Sequence, residues 1–579
     1  MKNKFSFALI ALVTLSLSLP IFVFAQQRPN QAAGRTSGKS DLPPAPNRRT
    51  GARSSATTIL AIDQDFKDAM NIIRENYIDG NKLDYNSFYK SSMTGMLRTL
   101  DPHSSYFDRE EFEELKTDQR SEYFGIGATI QNYAVGDAVE TYITATFNRS
   151  PAYRGGLRYG DRIDAVDGVS MHGKLSAEVR DKIRGPRGSQ VKVTVTRGST
   201  GRVETVDIVR DSVSQPSVPD YYMIRPGVGY IDMTRGFNYD TAEGMQDALD
   251  RLHQRDLKSL VLDLRNNPGG FLDSAIAVAG TFLPQGQLIL TQKGRNGLND
   301  RTYRSNNPDP DRTPLVILVN DYTASASEIV AGAMQDHDRA LIVGQTSFGK
   351  GLVQSIINLP EGAGLTLTSA KYFTPSGRLI QRDYSNGGWY DYISRGGTLR
   401  ENNAGSDKPA GPASHTDTGR PVYGGGGITP DEVVKEGTFT TPPRYYNTTE
   451  LRLRHPIFFF ARELVTGHIA GFDQYKNDRA IVFDHDITSN EFPVTDALIK
   501  AFSDYVAKEA SWRALVPQLS RKRAFIEKEL RFQLATAAYG TVAALQVTTK
   551  EDTQVAKAIE DMPRARELAL AAMRLRSAP

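Results

Sequence analysis

The chain has 579 residues, 39% apolar and 24% charged, and a formal net charge of +3. This is the composition of a soluble globular protein of three to five domains at roughly 100–200 residues each, and the charge is too small to imply a nucleic-acid partner. The chain contains no cysteine, which rules out disulfides, thiolate nucleophiles, Cys-based metal sites and lipid attachment at cysteine.

Lys2 and Lys4 open the chain, an apolar run follows from Phe5 to Phe24, and Val23-Phe24-Ala25 ends on a small residue. Residues 1–25 therefore read as an export signal, which predicts an extracytoplasmic protein, periplasmic where the cell has a periplasm. The run is also long enough for an uncleaved membrane anchor; Pro20 and the Ala25 end weigh against that. Residues 26–57 are rich in Pro, Gly, Ser and Ala, carry a local excess of Lys and Arg, and predict a disordered, solvated linker.

Residues 58–118 show helical spacing, as in Phe66, Met70, Ile73 and Tyr77, and predict a small helical domain. Over 119–212 the pattern turns to short β-rich runs at Gly127–Ile130, Thr141–Phe147, Val191–Val195 and Val203–Val209. Asp167-Gly168 is a hairpin-type turn signal, and a short helix is expected over Ala177–Ile183. Over 213–435 strand-like runs at Val228–Met233, Ser259–Leu264, Leu315–Val319 and Ala340–Val343 alternate with helical ones at Thr241–Leu252, Ser274–Phe282 and Ser325–Gln335, which predicts an α/β core. Pro409 to Gly427 reads as a loop. Residues 436–579 are expected to be a helical extension: one helix capped by Thr495, one from about Leu519 to Tyr539 ending at Gly540, and one after Thr549. A packed helical cap is the simple reading; adaptor binding or homo-oligomerisation is the alternative.

Three stretches could carry chemistry. In Val319-Asn320-Asp321-Tyr322-Thr323-Ala324-Ser325-Ala326-Ser327-Glu328 a buried strand meets a helix, and a serine there can face a cleft beside free helix amides. That suits an acyl-transfer nucleophile with an oxyanion to hold, but these hydroxyls can equally cap the helix. No GxSxG elbow is present. His337 lies too far along the same helix to act as base, and His103 follows a turn. A lysine serves if burial makes it neutral, and Lys350 sits in the glycine-rich loop Gly344–Gly351. This loop mimics a phosphate-binding loop, but Gly351 replaces the required hydroxyl and a strand follows, so nucleotide binding is set aside. The third stretch, Asp263 to Gly270, runs from a strand into Pro268-Gly269-Gly270. An amide of Gly269 or Gly270 could complete an oxyanion hole with that of Ala326, or the segment is an ordinary turn.

Together these elements resemble the C-terminal processing peptidases, or tail-specific proteases, from about Leu100 to Asp431. The resemblance rests on Leu100–Phe107, Gly125-Ile126-Gly127, Ser150-Pro151-Ala152, Gly155-Gly156-Leu157, Gly160-Asp161, Val166-Asp167-Gly168, Asp263–Gly270, Ala324–Glu328, Phe348-Gly349-Lys350-Gly351, Gln354, Lys371–Gly377 and Gly427–Asp431. It implies Ser325 as nucleophile, Lys350 as base and Gln354 as the residue that positions the lysine. Thr323 stands where the family often has serine. The implied fold is multidomain α+β: a crotonase-like α/β serine protease core with a PDZ-like β-domain between helical segments. The implied activity is endoproteolysis without metal or cofactor, on proteins or peptides with free apolar C-termini. Phe124, Gly125, Ile126 and Gly127 are the candidate tail-binding residues. The rivals are a proteolytically inactive PDZ scaffold and an acyl-CoA-type enzyme. Glu328 reads as structural, and Asp336 as either a site support or a helix end.

Overall fold

The computed structural model describes residues 56–119, 122–135, 138–385, 392, 411–435, 448–477 and 479–577. The expected signal segment and nearly all of the expected linker lie outside the described residues.

The first described segment holds helices α1 (Ala56–Asn76), α2 (Tyr85–Arg98) and α3 (Arg109–Gln119), with a short strand β1 (Ser105–Phe107) between the last two. Asp84 caps α2, its Oδ1 accepting from the amides of Asn86 and Ser87. The turn before β1 is built on Asp101: Oδ1 accepts from the amides of His103 and Ser104 at 2.8 Å, and Oδ2 from Ser104 Oγ at 2.6 Å.

A β-rich unit follows. Strands β2 (Glu122–Gly125), β3 (Ala128–Val135) and β4 (Ala138–Thr146) precede a one-turn helix α4 (Pro151–Arg154). Then come β5 (Arg162–Val166), β6 (Val169–Ser170), α5 (Ser176–Ile183), β7 (Gln190–Thr196), β8 (Val203–Val209) and β9 (Asp211–Ser214). The sheet runs β3-β4-β5-β7-β8, with β6 paired to β5, so β3 is an edge strand; β2 pairs separately with β9. In β7 alternate residues Val191, Val193 and Val195 are buried, as a half-covered strand requires. Asp167 and Gly168 both have positive φ (49° and 77°), the geometry of the tight hairpin turn expected from the sequence.

The next segment contains β10 (Asp220–Arg225), β11 (Val228–Asp232), α6 (Thr241–Gln254), β12 (Ser259–Asp263), α7 (Leu272–Phe282), β13 (Leu288–Gly294) and β14 (Arg301–Arg304). It continues with β15 (Leu315–Val319), α8 (Ala326–Asp336), β16 (Ala340–Gly344), β17 (Leu352–Asn358), β18 (Gly364–Phe373), β19 (Ala413–His415), β20 (Pro421–Tyr423) and β21 (Glu432–Val433). The central sheet is ordered β10-β11-β12-β15-β16-β21 and is parallel except for β10. Every residue of β15 and β16 is buried, which is why both read as unbroken apolar runs. A second, antiparallel sheet, β1-β18-β13-β14 with β17 on β18, joins the first described segment to this core.

The last segment comprises α9 (Thr448–Val465), α10 (Asp496–Lys508), α11 (Arg523–Thr549), α12 (Thr553–Glu560) and α13 (Met562–Ser577). Thr495 caps α10 as expected. The helix expected to stop at Gly540 does break there: Gly540 takes φ 83°, ψ 167°, outside the helical range, and a second helical stretch, not expected from the sequence, resumes directly beyond this kink within α11. Helix α9, with Pro456 inside it, was not foreseen individually.

These helices are not peripheral. One face of the central sheet packs on α6, α7 and α8, through residues such as Leu249, Val278 and Val330. The other face, with Tyr230, Val261, Val316, Leu318, Leu341 and Val343, is covered by Val555, Ala558, Met562 and Ala565 of α12 and α13. Meanwhile α9 packs on the β-rich unit, where Tyr133 of β3 stacks on Phe458 with ring centroids 3.9 Å apart.

Candidate active site

The three stretches singled out in the sequence leave the carboxyl ends of adjacent parallel strands β12, β15 and β16. In open α/β sheets that is where crevices form. The loops are stitched to one another. Ala324 N donates to Asn267 O at 2.9 Å, Ser327 Oγ to the same oxygen at 3.1 Å, Thr323 Oγ1 to Leu264 O at 2.8 Å, and Phe348 N to Thr323 O at 2.9 Å. The threonine in the place of a serine thus ties the serine loop to the β12 strand end.

Ser325 is partly exposed and holds a backbone conformation that L-residues rarely take, with φ 56° and ψ −114°. Such strain costs on the order of 1–3 kcal/mol and persists only where neighbours over-determine it. They do so here. Ser325 N donates to Glu328 Oε2 at 2.8 Å, the acidic half of a capping box, and Tyr372 Oη donates to Ser325 O at 3.2 Å.

Glu328 is fully buried and does more than end a helix. Its Oε2 also accepts from Lys350 N at 2.8 Å, and its Oε1 from Gly349 N at 2.6 Å and from Ser347 Oγ. Burial pushes this carboxyl above the ordinary glutamate range, and the four donors work against that rise. The structural role of Glu328 was legible in the sequence; its reach to the lysine loop was not.

The Lys350 side chain lies within electrostatic reach of Glu328 and Asp101. Burial pushes its ammonium down to about 8, while the negative charges of Glu328 and Asp101 pull the other way. His103 lies within electrostatic reach of this lysine. Burial, and then the charge of Lys350, push its imidazole down to about 2, and it shares a 2.7 Å hydrogen bond with Tyr392 Oη. His103 is thus a neutral neighbour of the lysine. Gln354 is Thr368's cross-strand partner, and its Nε2 donates to Thr368 Oγ1 at 3.2 Å; that hydroxyl donates on to Asp101 Oδ1 at 3.0 Å. Gln354 therefore joins the Asp101 turn through Thr368.

Gly269 and Gly270 have φ of 99° and 146°. A Cβ on Gly269 would lie 2.8 Å from Ser325 Cβ and 2.9 Å from Ala326 N, so only glycine permits this approach. The amide of Gly269 donates to Asn267 Oδ1 at 2.9 Å. That leaves the amide of Gly270, the next residue in the loop, as the candidate second donor to partner that of Ala326.

Two residues weighed from sequence sit elsewhere. The Asp336 carboxylate takes Arg378 and the amide of Ser376, and His337 bonds Leu288 O and Asp417. Of the candidate tail residues, Phe124 and Gly125 lie on β2, paired with Ser212 and Asp211 of β9. Ile126 is buried in the core of the β-rich unit. The carbonyls of Ile126 and Gly127 are taken up internally, by Ala152 N and by Phe147 N with Ser150 Oγ. This loop leads directly into the open edge of β3, flanked by α5. At the far end of that edge, Ala134 N donates to His455 Nδ1 of α9 at 3.3 Å.

The sequence matches the model of peptidase family S41 over residues 227–387 and that of the PDZ domain over 148–197. A carboxy-terminal-processing protease of Bartonella bacilliformis is 37% identical over 325 residues, 55% of this chain and 72% of that protein. A carboxyl-terminal-processing protease of Picosynechococcus sp. is 38% identical over 283 residues, 48% of this chain and 67% of that protein. Among solved structures, a photosystem II D1 C-terminal processing protease superimposes with a TM-score of 0.31 at 28% identity, covering 54% of this chain and 88% of that one.

Proposed function

The chain belongs to the carboxy-terminal-processing proteases of peptidase family S41 and carries a PDZ domain; on that footing we propose that it is an exported endopeptidase working through a Ser325–Lys350 dyad. Ser325 Oγ attacks the scissile carbonyl carbon and gives its proton to neutral Lys350 Nζ. The amides of Ala326 and Gly270 hold the oxyanion. Collapse expels the amine, which leaves with the proton from Nζ. Water, deprotonated by Lys350, then hydrolyses the acyl-serine. The single observation that carries this reading is the Glu328 carboxylate, to which both the Ser325 and the Lys350 amides are bound. Gln354 is read as the residue that positions Lys350, with its link through Thr368 to Asp101, whose charge acts on the lysine, as the support for that role.

Substrate choice is assigned to the PDZ domain. A chain end added to the open edge of β3 would set its carboxylate against the Phe124–Gly127 loop and its last apolar side chain beside α5. Export is assigned from Lys2, Lys4, the Phe5–Phe24 run and Ala25. Among the described residues no helix is long and apolar enough to cross a membrane. N-terminal sequencing of the mature protein tests export: a start near Gln26 supports it, and an intact Met1 on membrane-bound protein favours the anchor. Labelling with a fluorophosphonate, followed by peptide mapping, tests the nucleophile; modification at Ser325 supports the reading, and modification elsewhere with Ser325 unmodified overturns it.

A further inference from the structure

The loop that carries Gly269 and Gly270 begins at Arg265, whose side chain is 2% exposed. Its guanidinium is shared between the two ends of the catalytic architecture. Nε donates to Asp263 Oδ1 and Oδ2 at 2.9 and 3.0 Å, and Nη2 to Asp263 Oδ2 at 2.6 Å. Nη1 donates to Asp552 Oδ2 at 2.8 Å and to Gln554 Oε1 at 2.9 Å. Asp552 is itself wholly buried and caps α12, its Oδ1 accepting from the amides of Gln554 and Val555. Gln554 Nε2 donates to Val434 O at 2.7 Å, just past β21. Asp263 is held in turn by Tyr230 Oη at 2.7 Å.

A guanidinium is a rigid planar fork, so fixing its two ends fixes the backbone it hangs from. Asp263 alone would supply a counter-charge. The second anchor, from a helix 287 residues further along the chain, fixes the direction of the fork as well. Arg265 N is also tied to Asp263 Oδ1, at 3.0 Å, and the next amide, Asn266 N, to Asn320 Oδ1 at 2.9 Å. From there the backbone runs directly to Gly269, which leaves no room for a Cβ against Ser325. We propose that Asp552, with Gln554, is a positioning residue for catalysis: through Arg265 it sets the Asn266–Gly270 loop so that the loop's glycine amide faces the oxyanion formed at Ser325. The C-terminal helices are then part of the peptidase site. This rests on the reading of Ser325 as nucleophile.

The experiment uses the full chain and the variants D552N, Q554A, A558G and S325A, each checked for a cooperative melt well above the assay temperature. Asn keeps the cap and the shape at 552 and removes the anchoring charge. A displacement of the order of 1 Å near reacting groups costs up to about 100-fold in rate. D552N is therefore expected to lower kcat about 10- to 100-fold, with KM within about twofold of wild type, and to slow fluorophosphonate labelling of Ser325 by a similar factor. The pH midpoint of the rate should stay at its wild-type value, because the loop and not the lysine is disturbed. A558G weakens the same helix without touching Arg265; it should lower the melting temperature and leave kcat unchanged. Folded D552N with wild-type kcat and labelling rate overturns the proposal, as does A558G losing as much kcat as D552N. If D552N does not fold, Q554A decides, a several-fold loss of kcat supporting the proposal and none overturning it. An inactive, unlabelled S325A alongside a fully active D552N removes this proposal alone; an active S325A removes the reading of the site and this proposal with it.

Discussion

The backbone amides of Ser325 and Lys350 donate to the same atom, Oε2 of Glu328, each at 2.8 Å. One buried carboxylate thereby fixes the strained serine turn against the lysine loop, with Gly349 N and Ser347 Oγ on its other oxygen. Glu328→Gln places an N–H₂ group among donors that need acceptors. Hydrogen bonds to a charged group contribute about 1.5–3 kcal/mol each, so the variant should lose at least about 2 kcal/mol of stability. It should also lose most of its proteolysis while still folded. Denaturant unfolding and a peptide assay at the same temperature check both; unchanged activity would separate this carboxylate from catalysis.

The pH dependence follows from Lys350. Its ammonium is held near 8, against an ordinary 10.5, chiefly by burial. The neutral base therefore grows as pH rises, and kcat/KM should climb about tenfold per unit below that value and level off above it. Between the two values the folded state binds fewer protons than the unfolded chain, so this group's contribution to stability rises with pH across the same window. A pH–rate series with the fold monitored by circular dichroism tests this. A rate that falls between neutral and mildly alkaline pH contradicts it.

Gly269→Ala should damage turnover more than binding. Its φ of 99° is unfavourable for alanine, and the new Cβ would press on Ser325 Cβ and Ala326 N. Losing the alignment of one oxyanion donor costs about 10²–10³ in kcat. Steady-state kinetics should show that fall with KM little changed. A fall in affinity with kcat intact would instead assign the loop to substrate binding.

Tail recognition should depend on a free, apolar chain end. The β3 edge is open from the Gly127 side and is closed by His455 of α9 at Ala134. Ending an otherwise identical peptide in Asp-Asp asks the site to desolvate two more charges and should slow cleavage at least about tenfold. Amidating the terminus should weaken binding by removing the carboxylate. Equal kcat/KM across this matched set would remove the PDZ domain's role in selection.

Much of this was legible in the chain because local rules agreed with the global fold. Leu315–Val319 has no polar residue and is buried on both faces; Asp167-Gly168 supplies the two positive φ values its hairpin needs. Ser325 and Lys350 stood out as a serine at a strand–helix junction and a lysine in a glycine-rich loop. What escaped depends on long-range partners. Glu328 spaces as a capping residue, and nothing local reports that its carboxylate also binds the lysine loop. Arg265 and Asp552 look like ordinary charges until topology brings them together. Helix α9 was obscured by Pro456, whose missing N–H and ring disfavour a helix interior. It forms because Ile457, Phe458 and Phe460 are fully buried, with Phe458 stacked on Tyr133. Gly540 was readable as a helix break and is one, with φ 83° and ψ 167°; what no local signal reports is that helix resumes directly beyond it.

The most direct test digests an unfolded protein with wild-type chain beside Ser325→Ala and Lys350→Ala, all three verified as folded. Each variant should lose nearly all cleavage, and the double variant should be little worse than either, because the two residues act as one unit. Undiminished cleavage by purified Lys350→Ala would contradict it.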